Sequence, residues 1–189
     1  MEQTIHIHED DWGLRNLYPL AAFDAAVADV AAAEKAGRDN VAPDGIGWTS
    51  VHLIQAPKVD FTATGLAVDA VAPILERLLP WVRRFVATSM AGFSGGARDP
   101  YGSYEDDAWC FGFGSHCFVK LEPAGVLVRQ VWFEARTSDP YELGALRTAI
   151  EAIDGLAGAM IADYVLEAVG RVRDRTFMER YLSSLADGA

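Results

Sequence analysis

Four histidines, two cysteines and two short acidic-aromatic runs hold most of the chemistry open to this chain. His6, His8 and Asp10 are spaced two apart, so an extended backbone reaching Asp10 would project all three from one face. Two imidazoles and a carboxylate suit zinc or iron, but a complete site needs His52 and His116 to converge from separate strands. Solvent-facing polar residues alternating with core Ile5 and Ile7 account for the same pattern, and no metal or other cofactor is expected. Gly92-Phe93-Ser94-Gly95-Gly96 fits the G-x-S-x-G pattern of a nucleophile elbow, in which small residues let a strand turn sharply into a helix and expose the serine. A strand ending near Met90 would supply the first half. Downstream, Ala97-Arg98-Asp99-Pro100-Tyr101-Gly102 is turn-like and offers no helix N-terminus for an oxyanion hole. His116 then has Asp99, Asp106 and Asp107 crowded just before it, so a glycine-rich loop is the expectation. Cys110 and Cys117 fall in one strand-like stretch at a spacing that points them to opposite faces. Neither has a histidine pattern that would make it a nucleophile, and both read as buried thiols of a reducing compartment.

The acidic-aromatic runs are Glu9-Asp10-Asp11-Trp12 and Glu105-Asp106-Asp107-Ala108-Trp109. Neither has the alternating ligands, central glycine and distant glutamate of an EF-hand. With Tyr101 and Tyr104 just upstream, the second run offers steering charge beside aromatic anchors. The expected binding residues are therefore Tyr101, Tyr104, Glu105, Asp106, Asp107 and Trp109, joined by Glu9, Asp10, Asp11 and Trp12. A formal charge of -11 argues against nucleic acid or an anionic membrane as partner, because both require Lys/Arg neutralisation. A basic protein partner fits better. The functional expectation is a non-enzymatic protein-binding module, with the profile of a bacterial immunity or inhibitor protein. The rival is a small-molecule-binding protein or hydrolase with a pocket over a glycine-bearing hairpin face, where His116 and Arg129 supply polar groups. Met1-Glu2-Gln3-Thr4-Ile5-His6 lacks the basic and apolar regions of an export signal, and no apolar run reaches membrane-spanning length, so a cytoplasmic location is expected. Length and apolar content permit a homodimer.

Residues 1–189 read as a single α+β domain, with a mainly antiparallel sheet of about five strands packed against several helices. Thr4-Ile5-His6-Ile7-His8 alternates as a strand. Pro19 sits as the first-turn residue of a helix whose stripe is Leu20, Phe23, Val27 and Val30, ending near Gly37. Residues 48–55 alternate again, with Trp48, Ser50, His52 and Ile54 on one side, and predict a second strand. A helix over 68–79 stops at Pro80, residues 81–90 form a strand, and 91–107 form a long loop. Residues 108–121 and 126–137 predict a hairpin turned by Glu122-Pro123-Ala124-Gly125. Its glycines, Gly112 and Gly114, share a face with Cys110, His116 and Phe118, leaving space for a packed element or a ligand. Asp139-Pro140-Tyr141-Glu142 opens a capped helix, residues 157–168 fit helix or strand, and 174–185 close the chain as a helix.

Overall fold

Alternation at the N-terminus becomes β1 (Thr4–His8), which buries Ile5 and Ile7 and exposes His6. The computed structural model describes residues 3–55, 57–89 and 98–188. β1 ends where Glu9–Asp11 coil into a 3-10 turn capped by the His8 ring, whose Nδ1 accepts the Asp10 N–H at 3.2 Å. Asp10 thereby leaves the strand, and the imidazole-carboxylate row does not form. The chain turns at Gly13 into β2 (Arg15–Pro19), a strand buried at all five positions that sequence periodicity did not reveal. Pro19 closes this strand rather than opening a helix, and a 3-10 turn, Leu20–Ala22, precedes α1 (Phe23–Asp39). The buried stripe of α1 is small: Ala22, Ala26 and Val30 pack inward, whereas Leu20 and Val27 are 36% and 42% exposed. Alanine brings the helix close to the sheet, and that approach selects the alanine face over the bulkier one.

Residues 48–55 do not form the expected strand; they run as a strap beside α1, and the bridge Val41↔Trp48 is the pairing they have. α2 (Val68–Leu78) buries Val68, Val71, Ala72 and Leu75 before Pro80. The strand expected over 81–90 breaks at Arg83 into β3 (Trp81–Val82) and β4 (Arg84–Thr88), which belong to different sheets. The Gly92-to-Gly96 pattern lies outside the described residues. Within the expected loop stands β5 (Ser103–Glu105). The predicted hairpin becomes three strands, β6 (Trp109–Gly114), β7 (Cys117–Ala124) and β8 (Leu127–Ala135), because the first arm turns back at Ser115-His116. Cys110 and Cys117 thus stand on different strands. They still face opposite sides as buried free thiols, Cys110 between the sheets and Cys117 under the helices. α3 (Pro140–Ala157) starts at Asp139, whose carboxylate accepts the Tyr141 N–H at 2.8 Å. β9 (Ala159–Asp163) and β10 (Ala168–Arg171) follow, and α4 (Arg175–Asp187) is capped by Asp174.

The large sheet has seven strands rather than about five, in the order β10-β9-β2-β8-β7-β6-β3, with every neighbouring pair antiparallel. The small sheet is β1-β4-β5, with β1 parallel to β4 and β5 antiparallel to it. One face of the large sheet, carrying Leu17, Phe111, Val131 and Phe133, packs against α2, α3 and α4 through Leu75, Leu146, Ile150 and Tyr181. The other face is shared. The small sheet seats on β6, β7 and β8 through Ile5, Ile7, Phe85, Phe118 and Trp132, while α1 covers β2 and β9 through Ala26, Val30, Tyr18 and Met160.

Candidate functional site

The two acidic-aromatic runs do the same structural job. Glu9 to Trp12 carries the chain from β1 in the small sheet to β2 in the large one, and Asp106-Asp107-Ala108 carries it from β5 to β6. At each corner the carboxylates stay in water and the tryptophan folds inward. Trp12 packs edge-on against Phe85 and tilted against Trp132, with centroids at 5.4 and 6.0 Å. Trp109 stacks on Trp81 at 5.0 Å. Each indole thus spends part of its surface on packing within the chain and stays half-buried.

Both runs also reach one buried cation that sequence reasoning missed. Lys120 is wholly buried between the sheets, where its Nζ lies 3.0 Å from Glu105 and 2.7 Å from Glu122. Phe85 and Trp12 lie around the ammonium at 4.8 and 5.7 Å, and the Trp132 indole N–H donates to Glu122 at 2.9 Å. An ammonium this deep in apolar surroundings is tolerable only when paired, and two carboxylates with aromatic faces supply the pairing. Position Lys120 within Phe118-Val119-Lys120-Leu121 was a signal, since a lysine inside an apolar strand demands partners. Burial and the two neighbouring carboxylates, outweighing the pull of Lys120, push the Cys110 thiol far up. Burial likewise raises the Cys117 thiol to about 12, which leaves both as inert thiols.

Register separates the predicted recognition loop into two places. His8 pairs with Thr88, Ser103 with Ala87 and Glu105 with Phe85. Tyr101 therefore lies by the Thr88 end of β4, together with Glu9 and Asp10, whereas Asp106 and Asp107 lie by the Arg84 end. There they face cations, with Arg84 3.4 Å from Asp106 and Arg83 3.5 Å from Asp107. At the Thr88 end, Asp11 is offset by Arg136 at 3.3 Å, and among the described residues Asp10 pairs with the His8 ring alone. Tyr104 turns inward to Asp99, whose N–H it accepts at 2.7 Å, and carries Arg98 over its ring. Asp99 in turn accepts the Tyr101 N–H at 2.9 Å and the Ser89 hydroxyl and N–H, which holds its carboxyl below the usual aspartate range. That turn leaves Tyr101 89% exposed.

The space expected above the glycine-bearing hairpin face is filled by the small sheet. A Cβ on Gly112 would sit 2.3 Å from the Cys117 carbonyl oxygen, so glycine serves close strand approach, not a ligand. His116 is at the surface beside Glu142, 3.1 Å away, and Arg129 is exposed near the far end of β8. Glu142 also accepts the Thr137 hydroxyl at 2.6 Å. Among the described residues, no group of three or more His, Cys, Asp or Glu side chains is placed to hold a metal ion.

Two further polar constellations emerge only in three dimensions. Arg15 on β2 bridges Glu134 and Asp163, at 2.5 and 3.1 Å, and the Tyr181 hydroxyl donates to Asp163 at 2.8 Å. Burial raises the Glu134 carboxyl against the pull of Arg15. All four groups are nearly solvent-free and mutually satisfied, which makes this a clamp between sheet and α4. On the other side, Asp29 of α1 gathers His52, Tyr164 and the Gln55 N–H beneath the strap. Among the described residues Ser50 makes no hydrogen bond to His52, so this group lacks the activated nucleophile of a Ser-His-Asp triad. No described helix is long and apolar enough to cross a membrane. Comparison with protein-family models, with curated proteins and with solved structures finds no match for the chain.

Proposed function

We propose that the protein is a non-enzymatic binding module for a basic protein partner, of immunity or inhibitor type, and that the Thr88 end of the small sheet is its recognition edge. The supporting observation is the presentation of Tyr101, 89% exposed on a turn fixed by Asp99, at the end of the sheet where Glu9 and Asp10 have no Arg or Lys partner among the described residues. An aromatic anchor with modest conformational freedom beside uncompensated carboxylates fits a basic, partly apolar surface. Asp106 and Asp107 stand as a secondary patch, because Arg83 and Arg84 already offset much of their field. The net charge of -11 adds long-range steering.

Affinity capture from the native host, followed by binding kinetics on a captured basic protein, tests this. The double variant Glu9→Gln/Asp10→Asn lowers the on-rate and flattens its salt dependence, while Tyr101→Ala raises the off-rate by about tenfold or more if it is an anchor. A partner whose association ignores salt, or binds both variants like the parent, defeats the reading.

A further inference from the structure

We propose that the cleft between α1 and the strap at residues 48–54 binds a small, uncharged, mainly apolar molecule bearing one hydrogen-bond donor, such as a phenol or an indole, with His52 as the acceptor. The cleft holds about 450 Å³, within the size range of small-molecule sites, and its walls include Leu14, Ala33, Trp48, Val51 and Ile54. Asp29, Ala33 and Gly37 recur every fourth residue, which puts them on one face of α1. The strap is tied down at both ends. Thr49 N–H donates to the Asn40 carbonyl at 2.8 Å, the Trp48 indole N–H to the Gly37 carbonyl at 3.0 Å, and Gln55 N–H to Asp29 at 3.0 Å. The opening between those ties is therefore built into the fold.

The floor is polar and ordered. Asp29 accepts from the Tyr164 hydroxyl at 2.6 Å and meets His52 Nε2 at 2.9 Å. A carboxylate cannot donate, so Nε2 carries a proton, and the tautomer with that one ring proton presents Nδ1 as a lone-pair acceptor. No hydrogen bond occupies that nitrogen among the described residues. Behind it, the buried Tyr18 hydroxyl sits beside that of Tyr164 without a well-formed hydrogen bond; burial raises it to about 12, Tyr164 opposes that rise and Asp29 adds to it. Burial, then the hydrogen bond to Asp29, raises Tyr164 further, so Tyr164 stays a neutral donor that fixes the carboxylate. Among the described residues no Lys or Arg lines the cleft to receive an anion. The Asp29 oxygens already accept from three donors, which leaves an ammonium at most one further contact there. A neutral donor on an apolar body satisfies His52 and the walls together.

Titration calorimetry with 4-ethylphenol, indole and ethylbenzene tests the site on the whole chain. The phenol binds with a Kd below about 1 mM, as a well-enclosed molecule of its size allows, and ethylbenzene binds at least about fivefold more weakly. His52→Ala brings the phenol down to the level of ethylbenzene. Gly37→Phe blocks both probes; no atom lies within 4 Å of a Cβ at that position, so the side chain leaves the helix without a clash at its first carbon. Nitrogen NMR of His52 guards against a misfolded variant, because in the parent the Nδ1 resonance moves on adding phenol and not on adding ethylbenzene. Absence of phenol binding, equal binding of phenol and ethylbenzene, unchanged binding to Gly37→Phe, or self-association that protects the strap would each overturn the proposal. None of these readouts depends on Glu9, Asp10 or Tyr101.

Discussion

β1 and the strap begin as the same sequence signal and end as opposite structures. Thr4-Ile5-His6-Ile7-His8 and Trp48-Thr49-Ser50-Val51-His52-Leu53-Ile54 both alternate residue types with a period of two. β1 finds β4 alongside, pairs at five positions, and buries Ile5 and Ile7 to 0% and 2% exposure. The strap finds no strand alongside, and Val51 and Leu53 remain 71% and 73% exposed. Alternation fixes which side chains share a face; it does not supply a partner strand or a layer to cover that face. The faces predicted for the strap survive in part: Trp48, Ser50, His52 and Ile54 all line the α1 cleft, but Val51 from the opposite face lines it too.

The strongest way to break the enclosed side is Lys120→Ala. It leaves Glu122, and in part Glu105, as carboxylates without their cation between two sheets, and it opens a cavity beside Phe85. Removing one member of a buried ion pair costs about 3–5 kcal/mol. Urea denaturation therefore shows a large drop in midpoint, and a loss near zero would mean that the ammonium is not enclosed. Next comes a matched pair. Ile7→Ala costs about 2–5 kcal/mol because it empties a packed position, whereas Leu53→Ala changes stability by less than about 0.5 kcal/mol because its side chain already stands in water. Equal losses at both positions would erase the contrast between β1 and the strap.

Much of the fold was legible where local chemistry decides it. Asp139-Pro140 and Asp174 cap helices as their residue types require, and Pro80 ends α2. The strand over 157–168 was undecided because Ala159-Met160-Ile161-Ala162-Asp163 lies inside the sheet between β10 and β2, where both faces are covered and apolar periodicity vanishes. β2 was invisible because Arg15 and Asn16 are buried by an ion pair and hydrogen bonds while Leu17 and Tyr18 pack on opposite faces, so no apolar alternation remains. The sheet change at Arg83 depends on which neighbour each half of the strand meets, a long-range matter. The acidic corners were visible as composition, yet their division between two ends of β4 depends on register. Asp29 and His52, apart in sequence, belonged to no motif.

The smallest expected effect concerns how the acidic edge is held. Asp99 has its carboxyl lowered first by the Tyr101 N–H, then by the Ser89 hydroxyl and N–H. A carboxylate whose pKa is lowered on folding adds stability that is fully present above its unfolded value of about 3.9 and is lost as pH falls through the lowered folded value. The Ser89 and Tyr101 amide resonances should therefore titrate together with a midpoint below the ordinary aspartate range, and Asp99→Asn should abolish that titration while leaving the strap resonances untouched. Because Asp99 joins β4 to the turn bearing Tyr101, loss of this carboxylate should also broaden the Tyr101 ring signals. Independent titration of the two amides would show that Tyr101 is not fixed from β4. The recognition edge would then be held by β1 alone, and the enclosed side of the molecule would resemble the strap more closely than its burial suggests.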